Sequence, residues 1–275
     1  MISVQEVEYV YPSGIKALDN VSLEIGRGEL VALMGENGAG KTTLLKHLNG
    51  LLKPTKGRVL VDGIDTREAT VASLSRKIGL VFQNAEDMFF SSTVWDEVAF
   101  ALKNFGYDER TIRKRVEWAL RFMELEEYAN QSPFTLSGGE KKRLALAIIL
   151  AWAPDVIALD EPTTGQDQLQ KEKLMEMIRL LNTQGRTVII SSHDIEFIAK
   201  LKPRIILMKQ GRIIADGKAE EILLDEDLLI SCNLLPPQIV SLTKSLNFIG
   251  IKPSLIEPRK LAEEVVAKLR TLSKH

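Results

Sequence analysis

Along the chain, short apolar runs alternate with stretches of helical period, which predicts an α/β architecture. Val21-Ser22-Leu23-Glu24-Ile25 alternates with period two, and Glu29–Met34 is an apolar run that ends at Gly35. Arg58–Val61, Ile78–Phe82, Val156–Leu159, Thr187–Ser191 and Ile205–Met208 read as further strands. Gln210-Gly211 is a turn signal, so Ile205–Met208 and Arg212–Ala215 are expected to form a hairpin.

The middle of the chain changes period. Val94 to Leu125 is helical in pattern, with a break at Gly106-Tyr107-Asp108, and Ser137 to Trp152 reads as a second long helix. This predicts a helical lobe, about residues 84–152, inserted between two halves of an α/β core that spans residues 1–224. The final stretch, 225–275, changes again. Pro236-Pro237 opens a segment with Ile239, Leu242, Leu246 and Ile249 on one face, and Pro258 opens another with Leu261, Val265, Leu269 and Leu272. Two short amphipathic helices cannot shelter their apolar stripes alone, so they are expected to dock on the body or on another chain.

Charge and composition narrow the partners. The 36 basic and 37 acidic residues leave a formal net charge of −1, which argues against a nucleic-acid binder. The single cysteine, Cys232, forms no internal disulfide, fits a reducing compartment and reads as a small buried hydrophobe. Met1 to Tyr11 lacks the basic end and apolar block of a secretion signal. The longest apolar run, Leu144 to Ala153, is about half of a bilayer crossing. The expectation is a soluble chain that reaches a membrane only through a protein already there.

Three segments carry chemistry. Gly35-Glu36-Asn37-Gly38-Ala39-Gly40-Lys41-Thr42 follows an apolar strand and precedes the helical run from Thr43 to Leu48. Such glycines let backbone N–H groups converge on phosphate oxygens, and the helix N-terminus adds its positive dipole end. Lys41 can meet the β and γ phosphates, and the Thr42 hydroxyl can ligate Mg²⁺. Asp155–Glu161 is a strand ending in two carboxylates: Asp160 to hold Mg²⁺, Glu161 to orient and polarise an attacking water. Leu136-Ser137-Gly138-Gly139-Glu140 places a serine and two glycines at a helix start. That is a second anion-binding nest, although an ordinary helix cap uses the same residues.

These segments, in this order, resemble the ATP-binding cassette family, whose signature is matched by Leu136–Glu140. The resemblance covers roughly residues 2–220. It implies a P-loop NTPase: a RecA-like core with an antiparallel β lobe and an inserted α-helical subdomain. It implies an ATPase that closes head to tail with a second, identical or paralogous subunit around two ATP molecules and Mg²⁺. Gly35, Asn37, Gly38, Ala39, Gly40, Lys41, Thr42 and Thr43 would hold the phosphates, with Ser137, Gly138 and Gly139 capping the nucleotide of the opposite chain. Tyr11 resembles the aromatic that stacks on adenine; a strand-end core tyrosine is the other reading. Gln83 resembles the glutamine that senses Mg²⁺ and water, and His193 the switch histidine at the γ-phosphate. Asp167 matches the aspartate of the loop that crosses the dimer interface, beside Gln166 where leucine is commoner. His47 has no motif around it and reads as a helix-surface residue.

The segment from Gln83 to Phe100 resembles the energy-coupling factor ATPases, which power uptake of vitamins or transition-metal ions. There the segment lines a groove for a helix of an integral membrane scaffold subunit, which would dock near Glu86, Asp87, Met88 and Phe89. The alternative for the apolar side chains of Met88, Phe89 and Phe90 is core packing. The tail, opened by Leu234-Leu235-Pro236-Pro237-Gln238, resembles the C-terminal extension that holds two such ATPases together. A membrane substrate-binding subunit would complete the complex, at the cytoplasmic face of the cell membrane. The alternatives are the ATPase of another cassette transporter subclass and a cassette protein outside transport that acts on nucleic acid.

Overall fold

The computed structural model describes residues 1–255 and 257–272. In chain order, β1 (Ile2–Val10), β2 (Lys16–Ile25), β3 (Leu30–Met34), α1 (Lys41–Leu48), β4 (Lys56–Val61) and β5 (Ile64–Asp65) come first. They are followed by α2 (Val71–Ser75) and β6 (Ile78–Val81), then by the helical lobe of α3 (Val94–Asn104), α4 (Glu109–Phe122) and α5 (Gly138–Trp152). The chain returns to the core through β7 (Val156–Asp160), α6 (Gln168–Thr183), β8 (Thr187–Ser192), α7 (Ile195–Leu201), β9 (Arg204–Lys209) and β10 (Arg212–Lys218). The short helices α8 (Ala219–Ile222), α9 (Glu226–Ser231) and α10 (Gln238–Ser245) lead to α11 (Pro258–Leu272).

Two sheets organise the core. One is antiparallel in the order β2-β1-β4-β5; the other has the order β10-β9-β3-β8-β7-β6, parallel except for β10. The parallel strands are continuous apolar runs because both faces are covered, and every residue of β6, β7 and β8 is buried. One face packs with the helical lobe, α6 and α7; the other packs with α1 and the antiparallel sheet. The hairpin expected around Gln210-Gly211 is β9–β10.

β1 is a strand that the alternation does not announce. Ile2 and Val4 are buried, then the period slips and Val7 is buried instead of Glu6. Glu6 sits at a left-handed φ of 49°, and the pairing with β2 shifts register there. That is a bulge, which moves the following side chains to the opposite face. Gly57 lies against it: a Cβ at that position would stand 2.3 Å from the Glu6 carbonyl oxygen.

The helical lobe follows the expected periodicity, with the break between α3 and α4 at Gly106. The tail departs from it. On α10 the buried side chains are Val240 and Thr243, while Leu242 is exposed, so the helix is rotated from the expected stripe. The Thr243 hydroxyl accounts for this: it is satisfied inside by the Ile239 and Val240 carbonyls (2.9 and 3.0 Å) and accepts from the Ser254 amide at 3.1 Å. On α11, Leu261 is buried and Leu269 is exposed. The side chain of Leu272 lies outside the described residues, as do residues 256 and 273–275. Cys232 is buried. Among the described residues no helix is long and apolar enough to cross a membrane.

Candidate functional site

The loop between β3 and α1 wraps the lysine side chain that follows it. Gly35 stands at φ 150°, where a Cβ would meet the Met208 carbonyl oxygen at 2.3 Å, so only glycine passes beside β9. Gly38 and Gly40 also have positive φ. Lys41 is buried and donates to the Gly35 carbonyl at 2.7 Å and to the Glu36 carbonyl at 3.1 Å. A buried ammonium held by its own loop is poised to exchange those carbonyls for phosphate oxygens.

The tips of β3, β7 and β8 converge here, because these three strands are adjacent and parallel. Ligands of open parallel sheets bind at the carboxyl ends of strands. Thr42 donates to Asp160 Oδ1 at 3.0 Å, and Ser191 donates to the same oxygen. A hydroxyl and a carboxylate in contact are hard oxygen donors, the set that suits Mg²⁺ alongside phosphate and water.

Glu161 follows at a left-handed φ of 47°, unusual for a side chain with a Cβ. Its amide donates to both the carbonyl (3.1 Å) and the hydroxyl (3.0 Å) of Ser191, which hold the turn. The turn costs about 1–2 kcal/mol and aims the carboxylate across the strand tips. Glu161 Oε2 lies 2.8 Å from His193 Nδ1, so that nitrogen carries the proton and donates. Glu161 Oε1 lies 3.4 Å from Lys41 Nζ but has no hydrogen-bond partner, although it is buried. A buried carboxylate oxygen left open beside an ammonium is a place for a water.

Asp194, next to His193, caps α7 through the Phe197 amide at 3.0 Å and pairs with Lys171 at 2.6 Å. Burial opposes its charge, but the Lys171 bond and the cap outweigh burial, and its pKa falls below the usual carboxylate range.

Tyr11 lies at the edge of this cluster, its hydroxyl 3.0 Å from Thr43 Oγ1. Behind it, Tyr9 meets Tyr11 and His47 edge to face, at centroid distances of 4.9 and 4.7 Å. His47 is therefore not a helix-surface residue. It is fully buried, and its Nδ1 lies 2.7 Å from the Thr43 carbonyl. Burial lowers its pKa, so the neutral ring belongs to the core.

Other expected residues stand apart from the cluster. Gln83 is exposed just past β6 and, with Gln166, lines a cleft of about 370 Å³ between the helical lobe and α6. Asp167 is exposed and caps α6 through the Gln170 amide at 2.8 Å. Ser137 and Glu140 form a reciprocal capping box at the start of α5, with distances of 3.4 and 2.7 Å. Among the described residues no hydrogen bond links Ser137, Gly138 or Gly139 to Gly35–Thr42.

The segment after Gln83 divides into inward and outward parts. Phe89, expected at a partner surface, is buried against the lobe, and Met88 packs beside the core. Phe90 is outward, 60% exposed, and stands edge to face with exposed Phe100 at 4.4 Å. Its backbone is fixed by buried Glu97, which accepts from the Phe90 and Ser91 amides at 3.0 and 2.7 Å. Glu86 pairs with Lys141 at 2.5 Å, and Asp87 accepts from Asn84 at 3.0 Å.

Comparison with known proteins agrees with this geometry. The model of the family described as ABC transporter matches residues 18–164. An energy-coupling factor transporter ATP-binding protein, EcfA2 of Methanospirillum hungatei, is 42% identical over 96% of this chain and 67% of its own length. Among solved structures, cbiO1 of Clostridium perfringens, part of the ABC transporter complex cbiONQ, has a TM-score of 0.72 at 36% identity. That similarity covers 84% of this chain and 94% of cbiO1. The ATP-binding cassette MJ0796, a post-hydrolysis dimer bound to ADP and Pi, has a TM-score of 0.73 at 36% identity, covering 80% of this chain and 99% of its own. Some curated relatives are longer: the chain spans 43% and 44% of the length of the first two that it matches.

Proposed function

This chain belongs to the ABC transporter family of ATP-binding proteins, and from that premise we propose that it is the ATP-hydrolysing subunit of an energy-coupling factor type importer. The observation that carries the chemistry is the convergence of buried Lys41, Asp160 and Glu161 with the half-exposed His193 at the tips of adjacent strands. Lys41 would leave the Gly35 and Glu36 carbonyls for the β and γ phosphates, while the loop amides hold the remaining oxygens. Thr42 and Asp160 would hold Mg²⁺ and Gln83 would approach it as the lobe closes. Bound Mg²⁺ supplies neutralisation of the charge on the phosphate oxygens. Glu161 polarises the attacking water and accepts its proton, and His193 orients Glu161 and meets the γ-phosphate. Tyr11 provides the face on which adenine stacks.

The start of α5, with Ser137 and Gly138 exposed and not hydrogen-bonded to the phosphate loop of its own chain, fits a site completed between two copies. Asp167, exposed at the start of α6, would cross that interface. The likeness to a dimeric cassette supports the same assembly. The reading as an uptake ATPase for a vitamin or transition-metal ion is supported by the similarity to EcfA2 and cbiO1. On this reading residues 1–224 are the nucleotide-binding unit and 225–275 the extension that holds two ATPases together. A membrane scaffold subunit docks at the Phe90–Phe100 surface and near Glu86, Asp87 and Met88, beside a membrane substrate-binding subunit, at the cytoplasmic face. Copurification from detergent extracts tests this directly. Two hydrophobic membrane partners are expected; a chain that elutes only with nucleic acid or alone would contradict it.

A further inference from the structure

The tail does more than follow the catalytic unit; it touches both loops that carry the reacting cluster. Two residues past α9 stands Asn233, at a left-handed φ of 57°, a conformation that asparagine tolerates better than most residues. The turn points its side chain back at the phosphate loop, where Nδ2 donates to Glu36 Oε2 at 2.7 Å. Five residues later the Gln238 amide, at the start of α10, donates to Glu196 Oε1 at 2.7 Å. Glu196 lies on the first turn of α7, two residues past Asp194. Between these two attachments Leu234 is buried, so the segment is anchored in the core and not merely laid on the surface. Glu36, Asn37, His193, Ile195, Leu234 and Leu235 line one shared hollow of about 330 Å³.

We propose that residues 233–238 are a strap that fixes the spacing of the phosphate loop and the His193 loop, with Asn233 and Glu196 as its positioning residues. Neither touches the reacting atoms. Asn233 acts through Glu36, whose backbone carbonyl also receives Lys41 at 3.1 Å. Glu196 acts through α7, whose N-terminus carries His193. The strap lies between the catalytic loops and the extension α10–α11, so movement of the extension in an assembled dimer reaches the hydrolytic cluster through it. This rests on the reading of Glu161 and His193 as the hydrolytic pair.

The test is steady-state ATP hydrolysis by the full chain. Asn233→Asp sets two carboxylates face to face and should lower kcat about three- to tenfold, the reach of one solvent-exposed hydrogen bond, with little change in KM. Adding Glu36→Gln restores a donor and an acceptor in exchanged order, and the double variant should recover to within about twofold of wild type. Glu196→Ala should lower kcat by a similar factor, independently of the Asn233 pair. Thermal unfolding of each variant separates lost positioning from lost folding, since the exchange must recover kcat at equal folded fraction. Wild-type kcat in Asn233→Asp, or loss that Glu36→Gln fails to recover, overturns the strap. A Glu161→Gln control distinguishes the two readings: if it hydrolyses ATP like wild type, the hydrolytic pair is misassigned and the strap falls with it.

Discussion

Lys41 Nζ stands 3.4 Å from Glu161 Oε1, and both side chains are 5% exposed. The two groups proposed to meet phosphate and water are therefore paired with each other. On the proposed function, binding would trade the Lys41–Glu161 contact for a Lys41–phosphate contact and leave Glu161 to the water. A buried pair resists such a trade, because each charge left alone is costly.

Glu161→Gln should therefore bind ATP more tightly, as well as hydrolyse it slowly. Lys41 would be freed and one negative charge removed from the phosphate site. A gain of about 1 kcal/mol, or roughly fivefold in Kd, is expected. Equilibrium binding of a fluorescent ATP analogue checks it; weaker binding than wild type would show that Glu161 helps to hold the nucleotide.

The His193–Asp194 loop has an acid limit. Because the folded-state pKa of Asp194 is depressed, its contribution is complete above the ordinary carboxylate range and is lost as pH falls through the lowered value. Asp194→Asn should cost about 1 kcal/mol near neutrality, through the lost Lys171 pair, since asparagine can still cap α7. It should also flatten the decline in stability on acidification below about pH 4. Urea midpoints between neutral and acid pH measure both effects. An unchanged acid slope would assign the decline to other carboxylates.

The proposed docking surface should be separable from catalysis. Phe90 and Phe100 face outward and touch none of the phosphate-site residues, so Phe90→Ser with Phe100→Ser should leave ATPase activity of the isolated chain within about twofold. Binding to detergent-extracted membrane partners should weaken at least tenfold, as for aromatic anchors. Equal loss of activity and of binding would place these rings inside the lobe's structural core.

The extension is best tested without removing it, because Leu229, Cys232, Val240 and Leu255 pack into the main core. Phe248 is 83% exposed and Leu269 51%. Replacing both by serine should weaken nucleotide-free dimerisation about tenfold or more by sedimentation. Unchanged self-association would move the dimer contact elsewhere.

Much of this was legible in the residue pattern, for identifiable reasons. Strands buried on two faces write themselves as apolar runs, and a phosphate loop must carry glycines at fixed positions. β1 was hidden by the Glu6 bulge, which breaks period two in the middle of the strand. α10 was misjudged because a threonine that bonds its own helix can take an inward position that apolar counting gives to leucine. His47 reads as superficial because its role depends on Tyr9, 38 positions earlier on strand β1. Phe89 and Phe90 are neighbours with opposite fates, and it is the Glu97 carboxylate under the loop that fixes which one faces out. Such contacts are set by topology and leave no local periodicity.

The central claim is that Glu161 activates the water, and single-turnover hydrolysis of Mg²⁺-ATP measures it most directly. In Glu161→Gln the side chain keeps its size and loses its proton-accepting charge, while Lys41, Thr42 and the loop amides are untouched. The account gives a fall of about 10²–10⁴ in the chemical step, roughly 3–5 kcal/mol of barrier. ATP should remain trapped in a dimer, and Ser137→Arg added to the same chain should abolish that dimer. A single-turnover rate equal to wild type would contradict the assignment and pass the role to His193.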